Sequence, residues 1–272
     1  MKVYRYWASA QVSAQDSKGK RLLLKKWAGS NDSASDAKSA AERAVRALQD
    51  RMQQARGPNE EYLYGVRDIP EEFIREVTPN SLVTRNRMGC LVLNTTEAFF
   101  ADVDISEPGF FAKLFRKETR QKKEDEAVAL LNQFMESHPS AGARIYKTRA
   151  GLRYLFIHAP LGVTEETLGW LKALNSDALY TTLCRDQKCF RARLSPKYWR
   201  IDMARPNNYP RETPETSSAF DGWRRDYEQR SKGFAVCKFI GTAGRSSIHS
   251  DLSALVQDHD RATSANSDLP LA

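Results

Sequence analysis

Long apolar runs are missing from this chain. No stretch approaches the roughly 18 consecutive apolar residues of a membrane span. The N-terminus, Met1-Lys2-Val3-Tyr4-Arg5-Tyr6-Trp7, lacks the apolar h-region of a signal peptide. A cytoplasmic protein without a membrane partner is expected. Cysteine is scarce: Cys90, Cys184, Cys189 and Cys237 are the only four, and none forms C-x-x-C. Cys184 and Cys189 have no second pair or nearby histidine to complete a zinc site. Reduced thiols are expected, with Cys90 and Cys237 in apolar runs as core residues. His138, His158, His249 and His259 show no H-x-x-x-H or H-E-x-x-H spacing, and His158, at the end of an apolar strand, reads as structural. No G-x-S-x-G or Ser/His/Asp arrangement is present. Gly241-Thr242-Ala243-Gly244-Arg245-Ser246-Ser247 follows a strand and could touch phosphate through backbone N–H groups. It lacks the Gly-Lys-Ser/Thr of a P-loop. Internal repeats and long low-complexity segments are also absent.

What the chain does have is a core and a positive charge. Its 272 residues, 41% hydrophobic, suffice for one large domain or two small ones. The formal net charge is +8 and the pI about 9.3, which favours a polyanionic partner, nucleic acid or a nucleoside triphosphate. Residues 187–200 hold Lys188, Arg191, Arg193, Lys197 and Arg200 with no acid, and residues 144–153 hold Arg144, Lys147, Arg149 and Arg153 with none. These runs are either a phosphate-facing surface or a solvated face. Tyr180, Phe190, Tyr198 and Trp199 lie among the bases, and could stack nucleobases or belong to the core.

Hydrophobic periodicity divides the chain into residues 1–80, 81–205 and 206–272. The first part reads as a β-β-α module. Two alternating strands flank the turn Asp16-Ser17-Lys18-Gly19-Lys20, and a helix follows with Ala41, Ala44, Val45, Leu48 and Met52 on one stripe, stopping near Arg56-Gly57-Pro58. Residues 61–80 read as a connector with a helical turn at Pro70-Glu71-Glu72-Phe73-Ile74. Leu82-Val83-Thr84 and Cys90-Leu91-Val92-Leu93 form a hairpin. Residues 98–195 read β-α-β-β-α-β, with a helix core stripe of Ala127, Leu130, Leu131 and Phe134 after a basic start at residues 116–123. That order predicts an α+β fold with an RRM-like or ferredoxin-like core, its helices on one face of a four-stranded sheet and the other face free for function. In the C-terminal α/β extension, residues 203–217 read as a loop, and Phe220, Trp223 and Tyr227 as a short helix. Residues 234–240 read as a strand, Leu252, Leu255 and Val256 as a last helix, and residues 264–268 as a frayed tail.

Phe99-Phe100-Ala101-Asp102-Val103-Asp104-Ile105 carries the chemistry. Strand side chains alternate faces, so Asp102 and Asp104 point the same way. Two adjacent carboxylates in an apolar strand are costly without a cation or basic groups. Either a divalent metal sits here, or the strand ends and Asp104 begins a turn before Pro108-Gly109. The predicted core places Arg153 on the strand beside the pair. Acids holding Mg²⁺ or Mn²⁺ beside bases clamping phosphate suit phosphoryl or nucleotidyl transfer. Lys147, Arg149 and Arg153 would hold a triphosphate, and Arg191 and Arg193 template or primer.

These motifs resemble those of the archaeo-eukaryotic primase-like (primase-polymerase) palm over residues 80–205. Phe99-Phe100-Ala101-Asp102-Val103-Asp104 is similar to its hhhDhD strand. Lys147-Thr148-Arg149-Ala150-Gly151-Leu152-Arg153 is similar to its small-x-His hairpin, with Arg153 where the family has its nucleotide-binding histidine. Asp202, in Arg200-Ile201-Asp202, is the candidate for the third acid, past the expected strand. The resemblance implies a metal-dependent nucleotidyltransferase with Asp102, Asp104 and Asp202 as metal ligands and Asp102, Asp104 and Arg153 as catalytic residues. Three phrases, residues 83–87, 91–95 and 183–193, also resemble a set of uncharacterised bacterial proteins and imply no activity. The alternative expectation is a non-catalytic nucleic-acid-binding protein whose basic strands carry affinity.

Overall fold

The computed structural model describes residues 1–15, 19–54, 70–105, 120–206 and 214–272. The chain forms two compact units, one of residues 2–74 with 85–87, the other of residue 1, residues 75–84 and residues 88–272. Among the described residues no helix is long and apolar enough to cross a membrane. The expected turn at residues 16–18, the helix stop at 56–58 and the basic helix start at 116–119 lie outside the described residues.

In the smaller unit β1 (Tyr6–Gln15) and β2 (Arg21–Ser30) pair antiparallel, from Tyr6 opposite Ser30 to Gln15 opposite Arg21. Helix α1 (Ala34–Gln54) packs on this ribbon. Ser33 starts it: its Oγ accepts from Asp36 N–H at 3.0 Å and donates to the Asp36 carboxylate at 2.6 Å. Ala37, Ala41 and Val45, spaced by one turn, are buried.

In the larger unit the strand order of one sheet is β10-β7-β8-β6, built from β6 (Phe100–Asp104), β7 (Gly142–Thr148), β8 (Gly151–Phe156) and β10 (Cys237–Gly244). A second sheet has the order β3-β4-β5-β9, from β3 (Glu72–Thr78), β4 (Ser81–Arg85), β5 (Leu91–Thr95) and β9 (Phe190–Arg193); residues 72–74 of β3 and Arg85 of β4 are assigned to the smaller unit. Adjacent β4 and β5 are the expected hairpin. Residues 72–74, expected in a helical turn, are instead strand. Their run Glu72-Phe73-Ile74-Arg75-Glu76-Val77-Thr78 is β-branched-rich, and β4 supplies a ladder partner across Pro79-Asn80.

Helices α2 (Arg120–Ser137), α3 (Glu165–Ala173) and α4 (Ala178–Gln187) complete the order β6-α2-β7-β8-α3-α4-β9. The chain is thus α+β, and β8 lies between β6 and β7 as expected. The fourth strand departs from the expected sheet. β9 pairs with β5, from Val92 opposite Arg193 to Thr95 opposite Phe190, and β10 extends the sheet beyond β7 instead. The cause lies at the outer edge of β6. The Phe100 carbonyl accepts from Tyr180 Oη at 3.0 Å, and the Asp102 carbonyl from Ser176 Oγ at 2.9 Å and Asp177 N–H at 3.1 Å. The start of α4 thereby consumes the acceptors that a fourth strand would need.

Alternation divides the faces of this sheet. Leu152, Tyr154 and Phe156 face α2, whose Leu131 and Phe134 are buried. Phe99 meets Phe156 at 4.7 Å and Phe190 at 4.9 Å edge-on, and Phe134 meets Trp170 at 5.4 Å. Phe190 is therefore core. On the opposite face, expected to be open, Tyr146 and Phe100 pack against His259 of α6 (Ser253–Thr263) at 4.8 and 5.4 Å. The stripe Leu255, Val256, His259 and Thr263 is what allows this helix to cover it.

Helix α5 (Pro214–Ser231) includes residues 214–217, expected in a loop. Strand β10 begins and ends later than expected, with a bulge between Phe239 and Gly241. The tail is not frayed. Within residues 264–268, Phe239 N–H donates to Ala265 O and Ala265 N–H to Asp260 O, both at 2.9 Å; beyond them Ala235 N–H donates to Pro270 O at 2.9 Å and Ala272 N–H to Ala235 O at 3.0 Å. Ala272, 1% exposed, packs with Ile201 and Tyr227, so backbone pairing and an apolar terminus hold a stretch that is polar by composition.

Gly151 stands opposite Asp104, where an added Cβ would lie 2.0 Å from the Val103 carbonyl oxygen. Backbone cannot yield there cheaply. Gly151→Ala should lower the urea midpoint, at a cost of about 1–3 kcal/mol typical of overpacking.

Candidate functional site

The β6–β8 register sets Asp102 directly opposite Arg153. Arg153 Nε donates to Asp102 Oδ1 at 2.8 Å and Nη2 to Oδ2 at 3.3 Å, a two-pronged pair. The guanidinium side chain is 2% exposed and the carboxylate side chain 32%, so the pair opens to solvent on its acidic side. Arg153 Nη1 donates to the Arg193 carbonyl at 3.0 Å. Burial disfavours the Arg153 charge, but the Asp102 carboxylate outweighs it and holds the group above its ordinary value.

Beneath the pair, His259 is fully buried. Its Nε2 lies 3.5 Å from Arg153 Nη1 and its Nδ1 3.2 Å from Asp260 Oδ1. Asp260 accepts from Tyr146 Oη and Arg144 Nη2, both at 2.7 Å. Burial, with Arg153 in support and Asp260 opposing, depresses the His259 pKa. Neutral imidazole with the proton on Nδ1 satisfies both neighbours: Nδ1–H donates to Asp260, and the Nε2 lone pair faces Arg153.

Above the pair lies a cavity of about 220 Å³ lined by Asp102, Asp104, Asp177, Arg153, Arg193, Lys197 and Arg200, with Thr148, Ala150, Leu152 and Tyr180. Asp177 caps α4, its Oδ1 accepting from Tyr180 N–H at 2.6 Å. Partial burial, then Asp177, then Asp102 raise the Asp104 pKa. Arg193 is depressed by burial and then by Arg153. Lys197 is depressed by burial and then by Arg193 and Arg200, and Arg200 by burial and then by Arg193 and Arg149. Asp104 feels its acidic neighbours more than it feels Lys197 and Arg200, and those two bases feel neighbouring bases more than they feel Asp104.

Asp102, Asp104, Arg153 and Arg193 thus meet as the sequence suggests. Arg149 is exposed at the β7–β8 turn, where Thr148 Oγ1 accepts from Gly151 N–H at 3.0 Å. Lys147 faces the other side of the sheet, opposite Leu152, and binds Glu124 at 2.6 Å. Period-two alternation separates it from Arg153. Arg191 is held by Gln187 Oε1 at 2.7 Å and does not line the cavity. Asp202 is exposed in a left-handed turn with φ 54°, its carbonyl accepting from Arg230, and is not part of the cavity. Asp177 is the acid that sequence reasoning missed as a site residue. Its signal is an N-cap position before the Ala178–Gln187 helix. Lys197 and Arg200 were visible only as members of a basic run, and His259 as an isolated histidine. All four cysteines are free and buried, and burial pushes Cys184 up to about 12.

Among the described residues no group of three His, Cys, Asp or Glu side chains converges as a ready metal site. Mg²⁺ and Mn²⁺ do not require one: one or two carboxylates plus substrate phosphates and water commonly suffice. Asp104 and Asp177 fit that pattern as hard oxygen donors, and their mutual repulsion is what a cation would relieve. No family model matches the chain, and neither a curated protein nor a solved structure matches it.

Because the folded-state pKa of His259 is depressed below 6.5, the unfolded chain takes up the proton first as pH falls. Its contribution to stability is complete above 6.5 and declines on the acid side. Unfolding free energy measured against pH should fall below 6.5, less steeply in His259→Gln; His158, also depressed by burial, supplies part of the remaining slope.

Proposed function

We propose that the chain is a metal-dependent nucleotidyltransferase of primase-polymerase-like type, acting on nucleoside triphosphate or nucleic acid, in which β6, β7 and β8 serve as an RRM-like palm. One observation carries the reading: three carboxylates, Asp102, Asp104 and Asp177, line the same small cavity as Arg193, Lys197 and Arg200, and Asp104 is raised by burial and by its two acidic neighbours. Asp104 and Asp177 would hold Mg²⁺ or Mn²⁺, with the unused lone pairs of Asp102 available beside them. Arg153 fixes the Asp102 carboxylate in one orientation. A bound cation would activate the attacking hydroxyl and neutralise the leaving pyrophosphate. Arg193, Lys197 and Arg200 would offset charge on the substrate.

A second reading rests on the two-pronged grip of Arg153 on Asp102. If that ion pair is only structural, the protein is a nucleic-acid binder that uses its basic residues.

The two separate in calorimetric titration of Mn²⁺, with and without ATP, into wild type and Asp104→Asn. Asp104→Asn is preferable to Asp102→Asn, which would also strand the buried Arg153 charge. Mn²⁺ binding strengthened by ATP and lost in Asp104→Asn supports the enzyme. Absence of Mn²⁺ binding with or without nucleotide overturns it, and salt-dependent nucleic-acid affinity indifferent to Mg²⁺ would then identify the binder.

A further inference from the structure

We infer that Arg193, Lys197 and Arg200 form a preorganised subsite for the phosphate chain of a small polyphosphate ligand. The inference deepens the nucleotidyl-transfer reading and rests on it for placing a nucleoside triphosphate there. The sequence assigns the triphosphate to Lys147, Arg149 and Arg153. The structure turns Lys147 to the far face, leaves Arg149 exposed at the rim, and commits Arg153 to Asp102. The cations that remain in the cavity come from the end of β9 and the single turn of 3-10 helix at Tyr198–Arg200.

Their hydrogen bonding is incomplete. Arg193 Nη1 and Arg200 Nη1 are buried, and neither has a hydrogen-bond partner. A buried charged donor left unmade is costly, so these nitrogens mark places where an anionic acceptor belongs. Burial first, and then neighbouring bases (Arg153 acting on Arg193, Arg193 and Arg200 on Lys197, Arg193 and Arg149 on Arg200), lower all three groups, and a bound polyanion would offset both effects. Asp104 offsets part of this at Lys197 and Arg200, and both stay lowered. A ligand anionic at one end, and coordinated through a metal at the other, satisfies both sides. The cavity, about 220 Å³, suits a short phosphate chain rather than a duplex.

The cationic turn is rigidly mounted. Arg200 N–H donates to Lys197 O at 2.9 Å and Met203 N–H to Tyr198 O at 3.0 Å. The Pro196 carbonyl accepts from Tyr227 Oη at 2.6 Å, and Ile201 packs against Tyr227 and the C-terminal Ala272. Little ordering is left for the ligand to impose. Trp199, on the same turn, is 51% exposed with Lys197 Nζ 5.1 Å from its ring centre, so an aromatic face stands beside the phosphate clamp where a nucleobase could stack.

The test is calorimetric titration of inorganic tripolyphosphate, and separately ATP, in EDTA into the full chain. Wild type should bind tripolyphosphate without metal, and Lys197→Gln/Arg200→Gln should weaken it about tenfold or more, as loss of charge-assisted hydrogen bonds requires, with thermal melts confirming a folded variant. Asp104→Asn should retain tripolyphosphate binding even where it abolishes Mn²⁺ binding, which separates failure of this subsite from failure of the metal reading. Tighter binding of ATP, reduced to the tripolyphosphate level by Trp199→Ala, upholds the subsite and assigns it to a nucleotide. Equal affinities uphold it for the phosphate chain alone. No tripolyphosphate binding in EDTA, binding indifferent to the Lys197/Arg200 change, or single-stranded oligonucleotide that tripolyphosphate fails to displace would each overturn the proposal.

Discussion

The cross-strand pair of Arg153 and Asp102 is the constraint on which the larger unit depends. A guanidinium that is almost wholly buried in the middle of a sheet is expensive to desolvate, and several kcal/mol must be recovered by geometry. Here it is recovered by distributing the donors. Two meet Asp102 on β6, one meets the β9 backbone carbonyl of Arg193, and the same nitrogen faces His259 on α6. One side chain therefore ties together strands of both sheets and the last helix. Behind His259, Asp260 accepts from Tyr146 and Arg144, which extends the hydrogen-bonded network on this face.

The cavity above the pair follows from that arrangement. The α4 N-terminus, not a fourth strand, lies along the edge of β6, so Asp177 arrives beside Asp104 and β9 is displaced to β5. That displacement delivers Arg193, and the turn after it delivers Lys197 and Arg200, to the opposite wall. Segregated charge of this kind costs stability in the unliganded chain, and such costs concentrate where ligands bind. Fold alone would not argue this, since similar β-α-β arrangements host unrelated functions.

The Asp102–Arg153 encounter was legible because it needs only a β-α-β-β order and period-two alternation, and both are local. The β1–β2 ribbon and the helix that follows it were legible for the same reason. Lys147 was misjudged because basic residues in one run were treated as one surface, although adjacent strand positions face opposite ways. Asp202 was judged by spacing from a motif, and a left-handed turn sends it to solvent. The tail looked polar and unstructured, but pairing with Ala235 and burial of Ala272 depend on partners more than 30 residues upstream, which composition does not register.

The sequence by itself determined the local elements of this protein, its alternating faces and the coexistence of paired acids with basic runs, since hydrophobic period and side-chain chemistry act over a few residues. Only the tertiary structure decided which strand occupies which edge, that α6 covers the face expected to be open, and that Asp177, Lys197 and Arg200 complete the cavity. Those outcomes turn on competition for backbone hydrogen-bond groups at the edge of β6 and on burial between segments distant in the chain.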